Sequence, residues 1–565
     1  MPFQKGQCLL VVAMAAGGAG QSPTSTICPG PSVQPCPPAG FPLPRHAFLR
    51  LALVLALSSL GIGAGGCRAE PPAGQGRRAA VAPALPLHWP VPAAPPLTGP
   101  QPLLWVGLAA QLRGPGDLYL DSAAGSLRLR DAAGVQLEAP QLALRWTRQR
   151  LARPLAIRRL VLGPFASYES AAAVAERWRL AGAQPLVARP GEWEVWAPPE
   201  SPPLPGQQPR LLELHETWAW QPALKRAGRW QPLQGPLQLE APGGLRWKGG
   251  VYPGNFRLQA DAHGGWTLVE QLPLERYLLG VVPLEIGAAS PPAALAAQAV
   301  LARTWALRNQ QRFSVDGYHL CADTQCQVYG DPGPVAATLR QAIFATRGQV
   351  LAWHGQPIHA VYHASNGGVA AGFEEGWNSA PLPYLQPQLD GPPSATKPLS
   401  LPLDQAAVTS LLRRSSGFYG AEHPSFRWQR LVDANALAAA LRPGAPGLGQ
   451  PNRIVVLERG ASGRVIALEI GGDQPAGGKG TARVVLRRDA IRRTIRQLPS
   501  TLFNVEALGP GRWRFVGGGY GHGAGLSQAG AIDLAARGWS MERILQRYYP
   551  GTQLLPLTGL SGSDH

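Results

Sequence analysis

The sequence predicts a mixed α+β fold, and three observations lead there. Short runs alternate apolar and polar side chains, as in DLYLDS (117–122), SLRLRD (126–131) and the long stretch from PLQLEAPGG to VEQLPLE (236–275), which is the period of half-buried strands. Two other segments open with helix-start chemistry: Ser167 ahead of YESAAAVAERWRLA, and Ser290 with Pro291 and Pro292 ahead of AALAAQAVLARTWALRNQ. No internal repeat is present, which removes solenoids and propellers and leaves packed helices and sheets.

The elements follow in order. Residues 1–45 are rich in Pro, Gly and Ser and carry no folding pattern. Residues 46–67 then read as an export signal: a positive start (Arg45, His46, Arg50), an apolar run too short to span a bilayer, and small residues ending in Cys67. Its internal position points to a translation start downstream of Met1. Cys67 is either a lipid-bearing cysteine, which would be the one route to a membrane, or sits beside a simple cleavage site. Residues 68–100 form a proline-rich, extended linker. An α+β domain is expected over 101–235, with strand, helix and strands at LAIRRLVLGPF, the segment capped by Ser167 and ended by Gly182, PLVAR and EWEVWAP. A second domain is expected over 236–556, and 557–565 is a tail.

At 565 residues the chain exceeds one ordinary core. Its net charge of +18 suits an anionic or polyol-rich polymer, nucleic acid or a membrane surface. The arginines are spread along the chain and no nucleic-acid signature accompanies them, so nucleic acid is not the expected partner. Four of the six cysteines precede the expected mature chain. Cys321 and Cys326 remain, a local pair that is either a bridge or part of a metal site.

The chemistry centres on LPLERYLLGVVPLEIG (272–287). Glu285 follows GVVPL in a stretch that looks buried, and a buried carboxyl is costly unless paired or used. An apolar collar of Val281, Val282, Pro283, Leu284 and Ile286 would raise its pKa and keep it protonated near neutrality, as an acid for a glycosidic oxygen must be. The alternative is an ordinary carboxylate paired with an arginine. Glu275 fits a surface position. On the following helix Gln298 shares a face with Ala302 and Trp305. In YHLCADTQCQVYG, His319, Cys321 and Cys326 are candidate zinc ligands, with a disulfide as the alternative and His359 or His363 as a further ligand. In HASNGG, Ser365, Asn366, Gly367 and Gly368 allow close approach to a ligand or form a tight turn. Tyr384 can stack on a sugar or sit in a core. The glycines of GGGYGHGAGLSQAG do not make a phosphate loop; they suit a groove lined by backbone, with His522 and Gln528 facing the ligand.

Taken together, PLERYLLGVVPLEI, AALAAQAVLARTWAL, DTQCQVYG, HASNGG, PYLQPQLD and the C-terminal block from GGGYGHG to YYPGTQL resemble the SpoIID/LytB family over roughly 236–556. The resemblance implies a peptidoglycan lytic transglycosylase with Glu285 as general acid/base, Arg303 (in its A-Q-A-x-x-A-R-T block) holding sugar oxygens or steadying charge, and Gln298, Ser365, Gly367, Gly368, Tyr384, His522 and Gln528 along the glycan. It also implies a structural Zn2+ at His319, Cys321 and Cys326. The family's other description, amidase enhancer, implies a non-enzymatic alternative with a cell-wall amidase as partner. The pattern VLGPF, an alanine-rich helix and a closing W-x-V over 155–198 resembles the glycan-binding SPOR module, and a generic α+β unit fits it equally.

Overall fold

A computed structural model describes residues 85–473 and 481–560. The export-signal reading and Cys67 lie outside the described residues. The α+β expectation holds: one large sheet and several small ones pack with helices.

The large sheet has thirteen strands. Those that matter here are β1 (Leu103–Leu112), β2 (Gln141–Phe165), β3 (Arg210–Arg226), β4 (Leu237–Trp247), β5 (Gly250–Ala260) and β6 (Trp266–Pro273). β4, β5 and β6 form an antiparallel meander, and β6 then pairs with β1. Along β4 the burial alternates from Leu237 to Ala241, which is why the pattern was legible. β4 also pairs with Asp117–Ser122 and Leu127–Arg130, so the boundary expected at 235/236 falls inside one hydrogen-bonded sheet. Residues 155–198 form the expected elements. Helix α1 (Tyr168–Leu180) is capped by Ser167, whose hydroxyl accepts from Ser170 N at 3.2 Å, and the strands Leu186–Ala188 and Trp193–Ala197 join β2 in the same sheet. The described part of the proline-rich linker lies against the body: Trp89 N donates to Ala262 O and Arg158 N to Pro86 O, both at 3.3 Å.

β6 runs directly into α2 (Leu274–Val282). Pro283 has no N–H to extend the ladder, and the chain continues in a wider π turn, Pro283–Gly287, that carries Glu285. Helix α3 (Pro292–Arg308) follows. Ser290 does not cap it. The flanking residue is Pro291, and the Ser290 hydroxyl reaches back to Ile286 O at 2.7 Å, closing the π turn instead. Almost every residue from Ala294 to Leu307 is buried, so α3 is a core helix apolar nearly all round. Around it pack α2, the strand Gln349–Trp353 and two C-terminal helices, α4 (Gln528–Ala536, capped by Ser527) and α5 (Met541–Tyr548). Two three-stranded sheets between residues 428 and 517 build a separate cluster around Trp428, Leu468, Ile470 and Phe515.

Candidate active site

Glu285 stands where the π turn meets the loop Gln327–Gly330. Its Oε1 accepts from Val328 N at 2.9 Å, and the Tyr362 hydroxyl bonds the same carboxyl. Burial pushes its pKa up to about 7, against the pull of those two donors, which favour the charged form. The residue as a whole is only partly buried and neighbouring Leu284 is 37% exposed, so a desolvated carboxyl is carried by a residue at the edge of the core. That pairing is what a general acid requires.

The loop is held close by a glycine. A Cβ on Gly280 of α2 would sit 2.4 Å from Gly330 O, and Gly330 N donates to Gly280 O at 3.1 Å. From the loop a chain of hydrogen bonds runs to the carboxyl with one polarity. Tyr277 OH donates to Gln327 Oε1 (3.2 Å), Gln327 Nε2 donates to the Tyr362 oxygen (2.8 Å), and the Tyr362 proton is thereby left for Glu285. Gln327 and Tyr277 are buried, which makes the arrangement stiff. Tyr362 itself is fixed by a short parallel pairing of β7 (Tyr362–His363) with β8 (Leu526–Ser527). A second raised carboxyl, Glu270 on β6, also lies at about 7 through burial and accepts from Tyr329 OH at 2.9 Å. It is fully buried, so it steadies the loop beside Val328 and meets no ligand.

His522 comes to this neighbourhood. Its Nδ1 accepts from Ala524 N (3.1 Å), so the ring proton is on Nε2, which donates to Tyr362 O (2.9 Å). The ring is therefore neutral, and burial followed by the Arg492 charge pushes its pKa down to about 3. It packs on Trp377 and His363 with ring centroids 4.8 and 5.2 Å away. His522 thus buttresses the strand that presents Tyr362. Gln298 and Gln528, expected on the ligand, meet each other: Gln528 Nε2 donates to Gln298 Oε1 at 3.3 Å, both buried.

Other expected site residues are placed differently. Arg303 does not accompany Glu285; its guanidinium forms a bidentate pair with Glu275 at 2.7 and 2.8 Å and donates to Gln349 O at 2.9 Å, fully buried. Glu275 is accordingly an ion-pair partner rather than a surface acid. Ser365, Gly367 and Gly368 are buried. The close approach that Gly367 permits is to backbone: its Cβ would sit 2.7 Å from the Gly518 carbonyl carbon. Asn366 Nδ2 donates to buried Asp390 at 2.6 Å, which also receives Tyr548 OH and Arg547. Tyr384 is a core residue beside Trp353 whose hydroxyl accepts from His359 N.

The residues expected to hold zinc do not fit it as placed. Cys321 and Cys326 are joined in a disulfide. Both nitrogens of His319 are engaged, Nδ1 by Trp105 N and Nε2 at Pro95 O, each at 2.9 Å. His359 Nε2 faces Arg308, and His363 Nδ1 bonds Ala524 O. Among the described residues no group of three His, Cys, Asp or Glu side chains is arranged for a metal. What the sequence did not single out is Tyr362, Gln327, Val328 and Glu270. Gln327 and Val328 sat inside DTQCQVYG, Glu270 inside VEQLPLE and Tyr362 directly ahead of HASNGG, but nothing in a linear pattern pairs a tyrosine with a distant glutamate.

Residues 262–353 match the family described as Stage II sporulation protein, SpoIID, and residues 371–525 match a domain of unknown function, DUF8618. The first span holds Glu285, Gln327 and Val328, while His522 falls in the second. Over 303 residues the chain is 27% identical to Stage II sporulation protein D of Bacillus subtilis (strain 168), covering 51% of this chain and 75% of that protein. It is 28% identical over 304 residues to the same-named protein of Bacillus amyloliquefaciens, with the same coverage. It is 29% identical over 296 residues to the Amidase enhancer of Bacillus subtilis (strain 168), covering 49% of this chain and 40% of that one.

Proposed function

Because the chain carries a SpoIID domain and is similar over half its length to two proteins named Stage II sporulation protein D, we propose that it is a lytic transglycosylase of peptidoglycan, acting in the cell envelope after export. The observation that carries this reading is Glu285, a carboxyl at the edge of the core whose pKa burial raises to about 7 and which is fixed by Val328 N–H and Tyr362 OH. Protonated Glu285 gives its proton to the glycosidic oxygen between N-acetylmuramic acid and N-acetylglucosamine, and the C1–O4 bond breaks with the oxygen leaving as a hydroxyl. The Glu285 carboxylate then takes the proton of the muramyl 6-hydroxyl, whose oxygen bonds to C1 and closes a 1,6-anhydro ring. No water is consumed, so one carboxyl is enough. The two donors hold the carboxylate in the interval between the steps.

Digestion of purified peptidoglycan, with and without prior amidase treatment, is the test, read by mass spectrometry. Anhydro-muramyl ends from the unaltered protein and none from Glu285→Gln are expected. Equal product from both would sink the assignment of Glu285. The similarity to an amidase enhancer supports a second reading, a non-enzymatic activator of a cell-wall amidase, which predicts stimulation of an amidase that survives Glu285→Gln.

A further inference from the structure

Beyond the edge of its core, the large sheet continues as a two-stranded ribbon of β2 and β3. On one face of that ribbon the cross-strand pairs run Trp146–Pro222, Arg148–Trp220 and Arg150–Trp218. Directly opposed residues share a face, so these side chains form one ladder leading from the interior outward. At its inner end Trp146 is buried and stacks on Trp266 with centroids 6.0 Å apart, and Trp266 Nε1 donates to Trp220 O at 2.7 Å. At its outer end Trp218 is 42% exposed, with the Arg148 guanidinium 5.4 Å over its ring. Large aromatic surface is usually kept from water, so an exposed indole anchored to a rigid aromatic base is a feature to explain.

The charges on the ribbon point the same way. Arg145 and Arg158, on the same strand, are paired with Asp117 and Glu213. Arg148, Arg150 and Arg153, between them and exposed, have no carboxylate partner among the described residues. An indole offers a flat face for the apolar side of a sugar ring, and free guanidiniums take carboxylates in a bidentate fork. We propose that the β2–β3 ribbon, through Trp218, Trp220, Arg148 and Arg150, is a docking surface for a carboxylate-bearing glycan strand. It would hold the polymer apart from the Glu285 carboxyl. The choice of glycan over a nucleic acid rests on the peptidoglycan reading above. Three unpaired arginines are also few for a phosphate backbone, whose recognition needs many.

The test measures binding without turnover, so its failure is separable from failure of the catalytic reading. In a Glu285→Gln background, sedimentation with purified cell-wall sacculi is compared for the parent, Trp218→Ala with Arg150→Glu, and Trp218→Phe, using variants that melt with the parent. The double substitution is expected to weaken binding about tenfold, with Trp218→Phe retaining most of it. Equal sedimentation of all three overturns the proposal. So does displacement of the parent from sacculi by oligothymidylate, which assigns the ribbon to nucleic acid. Self-association of the parent that the double substitution abolishes likewise overturns it, in favour of a second copy of this chain.

Discussion

Replacing Glu285 by glutamine should stabilise the protein at neutral and alkaline pH, and not in acid. The folded chain raises the Glu285 pKa from 4.5 to about 7, because burial penalises the charged form more than Val328 N–H and Tyr362 OH relieve it. A carboxyl whose folded pKa lies above its unfolded value adds no penalty below pH 4.5. It costs stability progressively as pH rises, and the full cost is reached above pH 7. With 1.36 kcal/mol per pKa unit, the cost is about 3 kcal/mol at pH 8 and almost nothing at pH 4. Glutamine keeps the shape and still accepts from Val328 N–H, but it cannot ionise, so it escapes that cost. Denaturant titrations of both proteins at pH 4 and pH 8 should therefore show near-equal stability at the lower pH and a gain of about 2–3 kcal/mol for Glu285→Gln at the higher. Glu270 carries a similar burden but is common to both proteins, so it cancels. A gain of the same size at both pH values, or a loss at pH 8, would refute the reasoning, since neither can come from ionisation of this carboxyl. Stability withheld at one residue is the signature expected where function requires the less stable group.

Three further outcomes follow from the same geometry. Tyr362→Phe removes a donor to the charged form of Glu285, so its pKa should rise by about one unit above the present value, seen as an upward shift in a carbon-13 carboxyl titration and in the alkaline limb of any Glu285-dependent activity. An unchanged titration would show that the hydroxyl serves Gln327 alone. Arg303→Ala leaves Glu275 without its bidentate partner and should cost about 3–5 kcal/mol in denaturant titration, with Arg303→Lys recovering only part of it; a small loss would return Arg303 to a functional role. Reducing the Cys321–Cys326 disulfide should cost about 2 kcal/mol through its short loop, while a chelator should leave the melting temperature unchanged. A chelator-sensitive melt, with zinc found at one equivalent, would favour the metal reading.

Much of the local architecture was legible because its causes are local. Alternation in 236–275 marked β4, β5 and β6, and the Ser167 hydroxyl capped the helix that its position announced. Glu285 was legible for a related reason: a charge set in an apolar run must be accounted for, whatever surrounds it. Arg303, by contrast, was drawn to the active site by its motif, yet its guanidinium is satisfied by Glu275 from the preceding helix and by Gln349 O. The placement of the expected zinc ligands turns on the same kind of fact. His319 sits two residues from Cys321 in sequence, but its two nitrogens are claimed by Trp105 and Pro95, more than two hundred residues away along the chain.

By itself, then, the sequence determined most of the elements, and it singled out Glu285 and the reason its carboxyl is unusual, since periodicity, capping and the cost of a buried charge are properties of neighbouring residues. Only the tertiary structure decided how the acid is held. Val328 N–H, Tyr362 OH and the polarity of the chain from Tyr277 depend on a glycine-thin contact between α2 and a loop, and on a two-residue strand pairing that brings Tyr362 beside Leu526. Such contacts join residues that share no local pattern; burial raises the Glu285 pKa, and these long-range hydrogen bonds hold the carboxyl in place while opposing that rise.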